Sequence, residues 1–495
     1  IDGTPATAVV SAKRAVPIRA LEVRGNYRVP TDEITTCVGS LGDGSADALE
    51  GALERVLRRY RDRGFSLARI ESVRVDDGVL KFTLNEGTIA QIRYEGNERT
   101  RDYVIRREFP LDVGNVFRIG EATQGLVNIK STGLFEYVLL DVRYEENRPV
   151  IVLKVKEKSA ELLRLGVRAD NEHNIVGTLS VRDANFRGAW EDVGLTGRYG
   201  YRDRSLVGDY TVNRLFHSYL TLNLRAYVRS RDVLAYGDDA GQPAGKWERV
   251  ELGKYRETKY GWSIAFGSHF ERYGDVTAEV RSERHAIGFI SGTGYSPEEY
   301  RYVGMRLQSI IDTEDKFSFP SSGMLLQLSY EFALGKVGSD VSFSKFVGTY
   351  ESYLTLGARH TIRPRFTLGV ADATLPLAER FSLGGFSSFY GLQEDDSRGR
   401  QLFLVNMEYR YHFPFRFLFE TYLKVRYDLG TISLVPEELK LASFRHGIGL
   451  EVDLDTPIGP AAFGAGKSFY FRRDLPNSPV TTGPLLWYFS VGAPF

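Results

Sequence analysis

Beyond Glu161 the chain alternates. Leu163, Leu165, Val167 and Ala169 interleave with Arg164, Gly166, Arg168 and Asp170. Leu220, Leu222, Leu224, Ala226 and Val228 interleave with Thr221, Asn223, Arg225 and Tyr227, and Leu326, Leu328, Tyr330 and Phe332 with Gln327, Ser329 and Glu331. Phe403, Val405, Met407, Tyr409 and Tyr411 do the same against Asn406, Glu408, Arg410 and His412. Residues two apart share a face of a strand, so each segment has one apolar and one polar face. The runs last roughly 9–12 residues, enough to cross a bilayer at a tilt, whereas soluble strands average nearer 5–6. In Leu423–Gly430 the polar face is wholly charged: Lys424, Arg426 and Asp428 oppose Leu423, Val425 and Tyr427. Such a strand suits a barrel standing in lipid, with its charges in a wet lumen. About 335 residues, at roughly 20 per strand and turn, allow on the order of 14–18 antiparallel strands. The hydrophilic segment Tyr236–Lys259 is expected to form a long extracellular loop.

Before Glu161 the period changes. Leu49, Leu53, Val56 and Tyr60 recur at helical spacing, with Glu50, Glu54, Arg58 and Arg61 on the other faces. Ser45 is placed to cap this helix and Gly64 to stop it. The region is also repeated. Leu21-Glu22-Val23-Arg24-Gly25-Asn26 returns as Ile92-Arg93-Tyr94-Glu95-Gly96-Asn97, Gly64-Phe65 as Gly133-Leu134-Phe135, and Leu80–Glu86 as Val152–Glu157. All three offsets are about 70 residues, the length of a small domain. Each copy reads strand, helix, helix, strand, strand, an α+β unit with helices on one face of a short sheet. An exposed edge of such a sheet accepts an extra strand, which makes the unit peptide-binding by geometry.

Composition narrows the partners. The 64 basic and 64 acidic residues cancel, which argues against a nucleic-acid partner. Fifty Gly, 28 Tyr and 30 Phe supply turns and the amphipathic aromatics that collect where one end is apolar and the other wet. No apolar stretch is long enough for a transmembrane helix, an absence that says nothing against a barrel. The chain begins at Ile1-Asp2, as a processed form or a fragment would. The single Cys37 reads as a small packed hydrophobe. No Gly-x-Ser-x-Gly elbow, phosphate loop, dinucleotide fingerprint or paired metal ligands occur. His360 and His412 read as solvated lumen residues, and Asp395-Asp396 beside Arg398 as a loop salt bridge.

These features together resemble the BamA/TamA-type superfamily of outer-membrane assembly and secretion barrels, with its polypeptide-transport-associated (POTRA) repeats and bacterial surface antigen barrel. The resemblance rests on Tyr94–Thr100 with Val104–Phe109, on Tyr60–Phe65, and on Asp312-Thr313-Glu314-Asp315 with Phe319–Gly323. It extends to the loop Leu383–Gly391, the strand Tyr427-Asp428-Leu429-Gly430, and the terminal Val491-Gly492-Ala493-Pro494-Phe495. It implies residues 1–16 as a linker or truncated N-terminus, a first POTRA domain at 17–88, a second at 89–158, and a 16-stranded transmembrane β-barrel at 159–495. It also implies a weakly paired seam between residues 161–170 and 484–495, and a terminal strand signal at Gly492 and Phe495.

The resemblance further implies that the Gly384-Gly385 loop enters the barrel, where an Arg before Gly391 would pair with Asp428 ahead of Gly430. Here that position is Tyr390. Asp428 is therefore expected to face the lumen and meet Tyr390 or Arg398, with Arg400 a further downstream candidate. The alternative is an outer turn and a carboxylate paired with Arg426 or Lys424. An uncharged donor is roughly half as strong as an Arg fork.

The implied function is insertion of outer-membrane proteins or translocation of polypeptide. The repeats would bind client in the periplasm and the barrel would sit in the lipid and lipopolysaccharide of a Gram-negative outer membrane. No cofactor, metal or enzymatic activity on this chain is expected. Two alternatives stand. Gly384–Phe386 and Asp455–Pro460 are similar to barrels attached to patatin-like phospholipases, whose catalytic domain precedes the repeats. Two repeats, with Tyr60–Phe65 and Asn85-Glu86-Gly87, are similar to two-partner secretion transporters. A passive porin is disfavoured by the tandem repeats.

Overall fold

In the computed structural model, residues 18–39, 45–216, 218–270, 274–416, 418–438, 443–471 and 480–492 are described. Contacts divide them into two units: one ends at Ala160 and includes Asn185–Trp190, and the other holds the remaining residues to the C-terminus.

The first unit contains two copies of one module. The first runs β1 (Ala20–Arg24), α1 (Thr31–Val38), α2 (Ala46–Asp62), β2 (Arg69–Asp76) and β3 (Val79–Asn85). The second runs β4 (Gln91–Glu95), α3 (Asp102–Glu108), α4 (Ile119–Ser131), β5 (Phe135–Glu145) and β6 (Arg148–Glu157). The last strand lies central in each sheet, parallel to the first and antiparallel to the one before it. Leu49, Val56 and Tyr60 of α2 are buried against Leu80, Phe82 and Leu84 of β3. Each such side chain contributes about 1.5–3 kcal/mol, so a charge at Val56 would break the module. Ser45 stands at the start of α2, but its carbonyl rather than its hydroxyl serves the helix, accepting from Leu49 N–H at 3.0 Å.

The repeated motif has a mechanical reason. Gly25 and Gly96 sit at φ +84° and +90°, and a methyl at either would overlap a carbonyl of the central strand, Leu84 or Val155. The side-chain amides of Asn26 and Asn97 donate to Val29 O (3.1 Å) and Thr100 O (2.9 Å). The Glu that closes each repeat then accepts backbone N–H groups of the same turn, Glu86 from Arg28 (2.7 Å) and Glu157 from Thr100 (2.6 Å).

The second unit is a closed antiparallel barrel. Its wall begins with β7 (Glu161–Asp170), β8 (Asn174–Phe186), β9 (Glu191–Gly200), β10 (Asp203–Val212), β11 (Leu220–Asp238), β12 (Arg249–Phe270), β13 (Gly274–Gly292) and β14 (Glu298–Asp312). It continues with β15 (Ser322–Ala333), β16 (Phe343–Leu356) and β17 (His360–Ala371). Two short strands, β18 (Phe381–Leu383) and β19 (Ser397–Gly399), leave the wall and pair with each other. The wall resumes with β20 (Gln401–His412), β21 (Glu420–Ser433), β22 (Arg445–Thr456), β23 (Gly459–Phe471) and β24 (Val480–Val491). The rim where β7 starts and β24 ends is the near rim, and its opposite is the far rim.

The faces are inverted relative to a soluble protein. Leu163, Leu165, Val167, Phe266, Val280, Leu368, Ile448, Leu450 and Trp487 are exposed on the outside, while Glu283, Glu331, Glu408, Arg410, Arg426, Asp428 and Asp453 are buried within. A continuous exposed apolar band belongs against lipid. No helix among the described residues is long and apolar enough to cross a membrane.

Two expectations change. Most of Tyr236–Lys259 is strand, because β11 and β12 pair as far as Asp238 and Arg249 and leave only 239–248 as a turn. Part of the hydrophilic composition there serves the lumen, where Glu257 is buried and Lys259 pairs with Glu379. His360 belongs to the outward face, where its Nδ1 and Tyr409 Oη lie 2.7 Å apart. His412, by contrast, stacks on lumen-facing Tyr422 with ring centroids 4.7 Å apart.

Candidate functional site

Between β17 and β20 the chain turns back into the barrel, and β18 and β19 form the stem of this re-entrant loop. Gly384 and Gly385 reach φ +126° and +95°, and Phe389 N–H closes onto Gly385 O at 2.8 Å. That sharp tip places Phe386, Phe389, Tyr390 and Gly391 against the inner wall. Phe389, Tyr390 and Asp428 are all fully buried.

Asp428 is the centre of the contact. Its carboxylate accepts from the Tyr390 backbone N–H at 2.8 Å, from Asn406 Nδ2 at 2.7 Å and from Arg426 Nε at 3.0 Å. Arg426 and Asn406 also reach the loop, donating to Phe386 O and Ser388 O, each at 2.9 Å. The phenol of Tyr390 goes elsewhere, to Glu451, and its ring lies under the Arg426 guanidinium at 3.8 Å. The guanidinium next to Asp428 thus comes from the wall strand itself, two residues away on the same face. A buried carboxylate with a charged and two neutral donors is satisfied, and removing any one donor leaves a costly orphan.

The downstream arginines do not meet Asp428. The β18–β19 ribbon fixes Arg398 opposite Ser382, from where it pairs with Glu257 (2.6 Å) and Asp395 (3.3 Å). Arg400 donates to Leu434 O at 3.5 Å. Gly430 lies across from the tip, where an added methyl would stand 3.1 Å from the Phe389 ring. Gly492, at φ +107°, closes on the Val167 carbonyl, and Phe495 lies outside the described residues.

Sequence reasoning missed the slot that receives Tyr390. A methyl at Gly447 would stand 2.8 Å from Tyr390 O, one at Gly466 2.7 Å from its Cβ, and one at Gly449 would overlap its ring. Their even spacing on β22 and partner β23 is the signal that could have found them, since glycines in a strand mark close approach. Tyr488 was missed as well: its hydroxyl accepts from Gly391 N–H (2.8 Å) and donates to Leu392 O (3.1 Å). A further anchor is Glu379, in the turn before β18, which pairs with Lys259 (2.7 Å) and Lys345 (3.3 Å).

At the far rim the loop's acidic run meets basic wall residues. Arg231 holds Glu394 (2.5 Å) and Asp395 (2.8 Å), and Arg445 holds Asp396 (2.8 Å). His173, in the β7–β8 turn, bridges Asp170 (3.1 Å), Asp203 (3.2 Å) and Glu394 (3.1 Å). Burial disfavours the His173 cation, but bonds to Asp170 and Glu394 outweigh it and raise its pKa to about 10. Burial, seconded by Glu394, pushes Glu172 up to about 7. Glu172, His173 and Glu394 bring ligand-type atoms within 4.8 Å of one another. Arg202 and Arg231 already supply countercharge to Glu394, which makes it and His173 members of an ion-pair network.

The barrel closes between β24 and β7 by two register pairs, Ser490 with Asp170 and Val491 with Ala169. Beyond them the side-chain amide of Asn171 imitates a strand residue, donating to Trp487 O and accepting from Phe489 N–H, each at 3.1 Å. Every other wall junction is a long ladder; β21 and β22 pair from Glu420 to Gly430 without a break.

An apolar-sided barrel with a loop anchored in its lumen and a short seam, in a chain that also carries α+β repeats, defines a class of membrane barrel proteins. A family model described as the Omp85 superfamily domain matches residues 185–495, and one described as the surface antigen variable number repeat (POTRA) matches residues 88–158. The chain belongs to the Omp85 superfamily. Among relatives, it is 24% identical to the outer membrane protein assembly factor BamA of Nitratidesulfovibrio vulgaris, over 84% of this chain and 54% of that protein. It is 21% identical to BamA of Neorickettsia risticii, over 77% and 52%. The chain thus spans about half the length of the curated relatives it matches. Among solved structures, it resembles BamA from Haemophilus ducreyi lacking POTRA domains 1–3, with TM-score 0.68, 16% identity and 97% and 100% of the two chains covered. CdiB from Escherichia coli follows at TM-score 0.54, 16% identity and 99% and 93% coverage. These structural likenesses speak to fold. The patatin-like alternative draws no support from these relatives.

Proposed function

We propose that this chain inserts proteins into, or moves polypeptide across, a Gram-negative outer membrane. The repeats lie in the periplasm and receive client on their open sheet edges, β2 and β5. The apolar band of the barrel sits in the lipid and lipopolysaccharide of that membrane, and the seam between β24 and β7 is the route by which client leaves the barrel wall. The observation that carries the reading is that seam: two backbone pairs, where on one side β7 and β8 pair from Glu161 to Asp170 and on the other β23 and β24 pair along most of their length. A strand edge left open inside an otherwise closed wall is a site for pairing with another strand. The re-entrant loop, through Tyr390, Gly391 and Asp428, acts as a lock that holds the lumen filled while the seam works, and residues 17–158 form two client-binding domains.

The fold shared with CdiB supports a second reading, export through the lumen. Insertion leaves the loop in place, whereas export needs the loop to leave. The full chain in lipid vesicles, supplied with an unfolded outer-membrane barrel protein, is expected to speed its insertion. Deleting residues 17–158 is expected to abolish that acceleration while the barrel stays folded; retained acceleration would remove the role given to the repeats. A disulfide fixing the loop to the wall leaves insertion intact and stops export, which separates the two readings.

A further inference from the structure

The turn between β11 and β12 reaches the seam. Thr482 of β24 donates its N–H to Gly245 O at 3.0 Å and accepts from Trp247 N–H at 3.1 Å, making Lys246 and Thr482 a parallel bridge. A strand residue directs both backbone groups to one side, and β23 lies on the other side of β24 here. The groups that Thr482 gives to residues 245–247 are therefore those of its open edge, which β7 leaves unpaired at this height. The β23–β24 ladder shifts register between Lys467 and Phe469. Pro484 in the same stretch has no N–H to offer a partner strand.

The tip is also tied to the re-entrant loop. Trp247 packs edge-on against Tyr470 at 6.1 Å and lies under the Arg445 guanidinium at 5.3 Å. Arg445 holds the Asp396 carboxylate at 2.8 Å, and Arg249, two residues after Trp247, donates to Asp396 O at 2.9 Å. Asp396 thus joins the loop in the lumen to the segment that covers the seam edge.

We propose that residues 245–247 are a latch: they occupy the open edge of β24 as a short substitute strand and hold the far half of the seam shut. The latch is braced by Asp396, so loosening the base of the re-entrant loop releases it. The seam then has two unlike closures, the Ser490 and Val491 pairs with Asn171 at the near end and the latch at the far end. This rests on the seam being a working route, as proposed above.

The test uses the full chain in lipid vesicles, in a Cys37→Ser background, with spin labels on cysteines replacing the outward-facing Leu165 of β7 and Leu485 of β24. The intact latch gives a narrow distance distribution. Replacing residues 243–247 by glycines and serines is expected to broaden it and shift it to longer distances, and Asp396→Asn to do so to a smaller extent. An unchanged narrow distribution in a chain that still migrates as a folded barrel overturns the latch. A second, otherwise unaltered chain carries Lys246→Cys with Thr482→Cys. Oxidised, it is expected to insert an unfolded barrel protein more slowly than after reduction; equally accelerated insertion in both states overturns the latch too. Broadened distances in a chain that accelerates no insertion would sink the proposed function and leave the latch standing.

Discussion

The re-entrant loop and the seam are held in opposite ways, although β24 serves both. The loop is fixed at its tip by Asp428, Arg426, Asn406 and Tyr488, at its entry by Glu379, and at its acidic base by Arg231 and Arg445. The seam has two register pairs and the amide of Asn171. Polar contacts in a buried lumen are strong because water is absent, and each partner lost leaves an orphan. Hydrogen bonds along an open edge are few and replaceable. The difference locates rigidity in the filling of the barrel and compliance in its wall.

The largest blow to this contrast is Asp428→Ala. It strands the Arg426 guanidinium in a buried site, and breaking a buried pair from one side costs about 3–5 kcal/mol. Thermal unfolding of the purified barrel should shift down accordingly, and protease should cut the loop near Gly385; an unshifted transition with an uncut loop would falsify the lock. Next is Gly449→Ala, which places a methyl on the Tyr390 ring. Overpacking of this kind costs about 1–3 kcal/mol, and the readout is Tyr390 solvent exposure. Tyr390→Phe removes only the bond to Glu451 and should cost about 1–3 kcal/mol, with the loop still inside; loop expulsion would mean the phenol, not the backbone, carries the anchorage.

Two smaller changes probe the turn beside the seam. Glu172 has its pKa raised to about 7 when folded, so the folded state binds a proton that the unfolded chain gives up near 4.3. Stability is therefore lost as pH rises from there towards 7 and beyond. Glu172→Gln should stabilise the protein at pH 8 and leave it unchanged at pH 4; equal effects at both would refute the assignment. His173, raised to about 10, works in the same sense over a higher window, its contribution present below about 6.5 and lost as pH rises through 10. Asn171→Ala should cost least in global stability, about 1 kcal/mol, yet speed amide exchange at Phe489 more than at any β21 position.

Alternation alone placed Asp428 inside and Leu165, Leu328 and Met407 outside, because a two-residue period leaves no other choice once one face meets lipid. The repeat was legible because Gly25 and Gly96 face the same carbonyl wall and tolerate no side chain. What failed was inference along the loop. Arg398 follows Tyr390 closely enough in sequence to be a candidate, but a β18–β19 pairing three residues long turned it towards Glu257. The loop's own donor to Asp428 turned out to be a backbone N–H, which no residue type advertises. The slot glycines 447, 449 and 466 come from strands distant in sequence from Tyr390, so only their assembly reveals a cleft. Tyr236–Lys259 misled because polar composition marks a lumen-facing strand as well as an exposed turn: Glu257 and Lys259 are held in ion pairs with Arg398 and Glu379.

The heights of the strands carry a last consequence. β7, β9 and β10 have 10 residues each, whereas β11, β12 and β13 have 19, 22 and 19. Ten residues rise about 33 Å, and a tilt of roughly 40° leaves about 25 Å of vertical reach. That falls short of the hydrocarbon thickness of about 30 Å. Acyl chains beside the low wall must compress or splay to match it, at a cost of fractions of a kcal/mol per Å of mismatch. The bilayer is thus expected to be thinnest along the side that holds β7, β9 and β10.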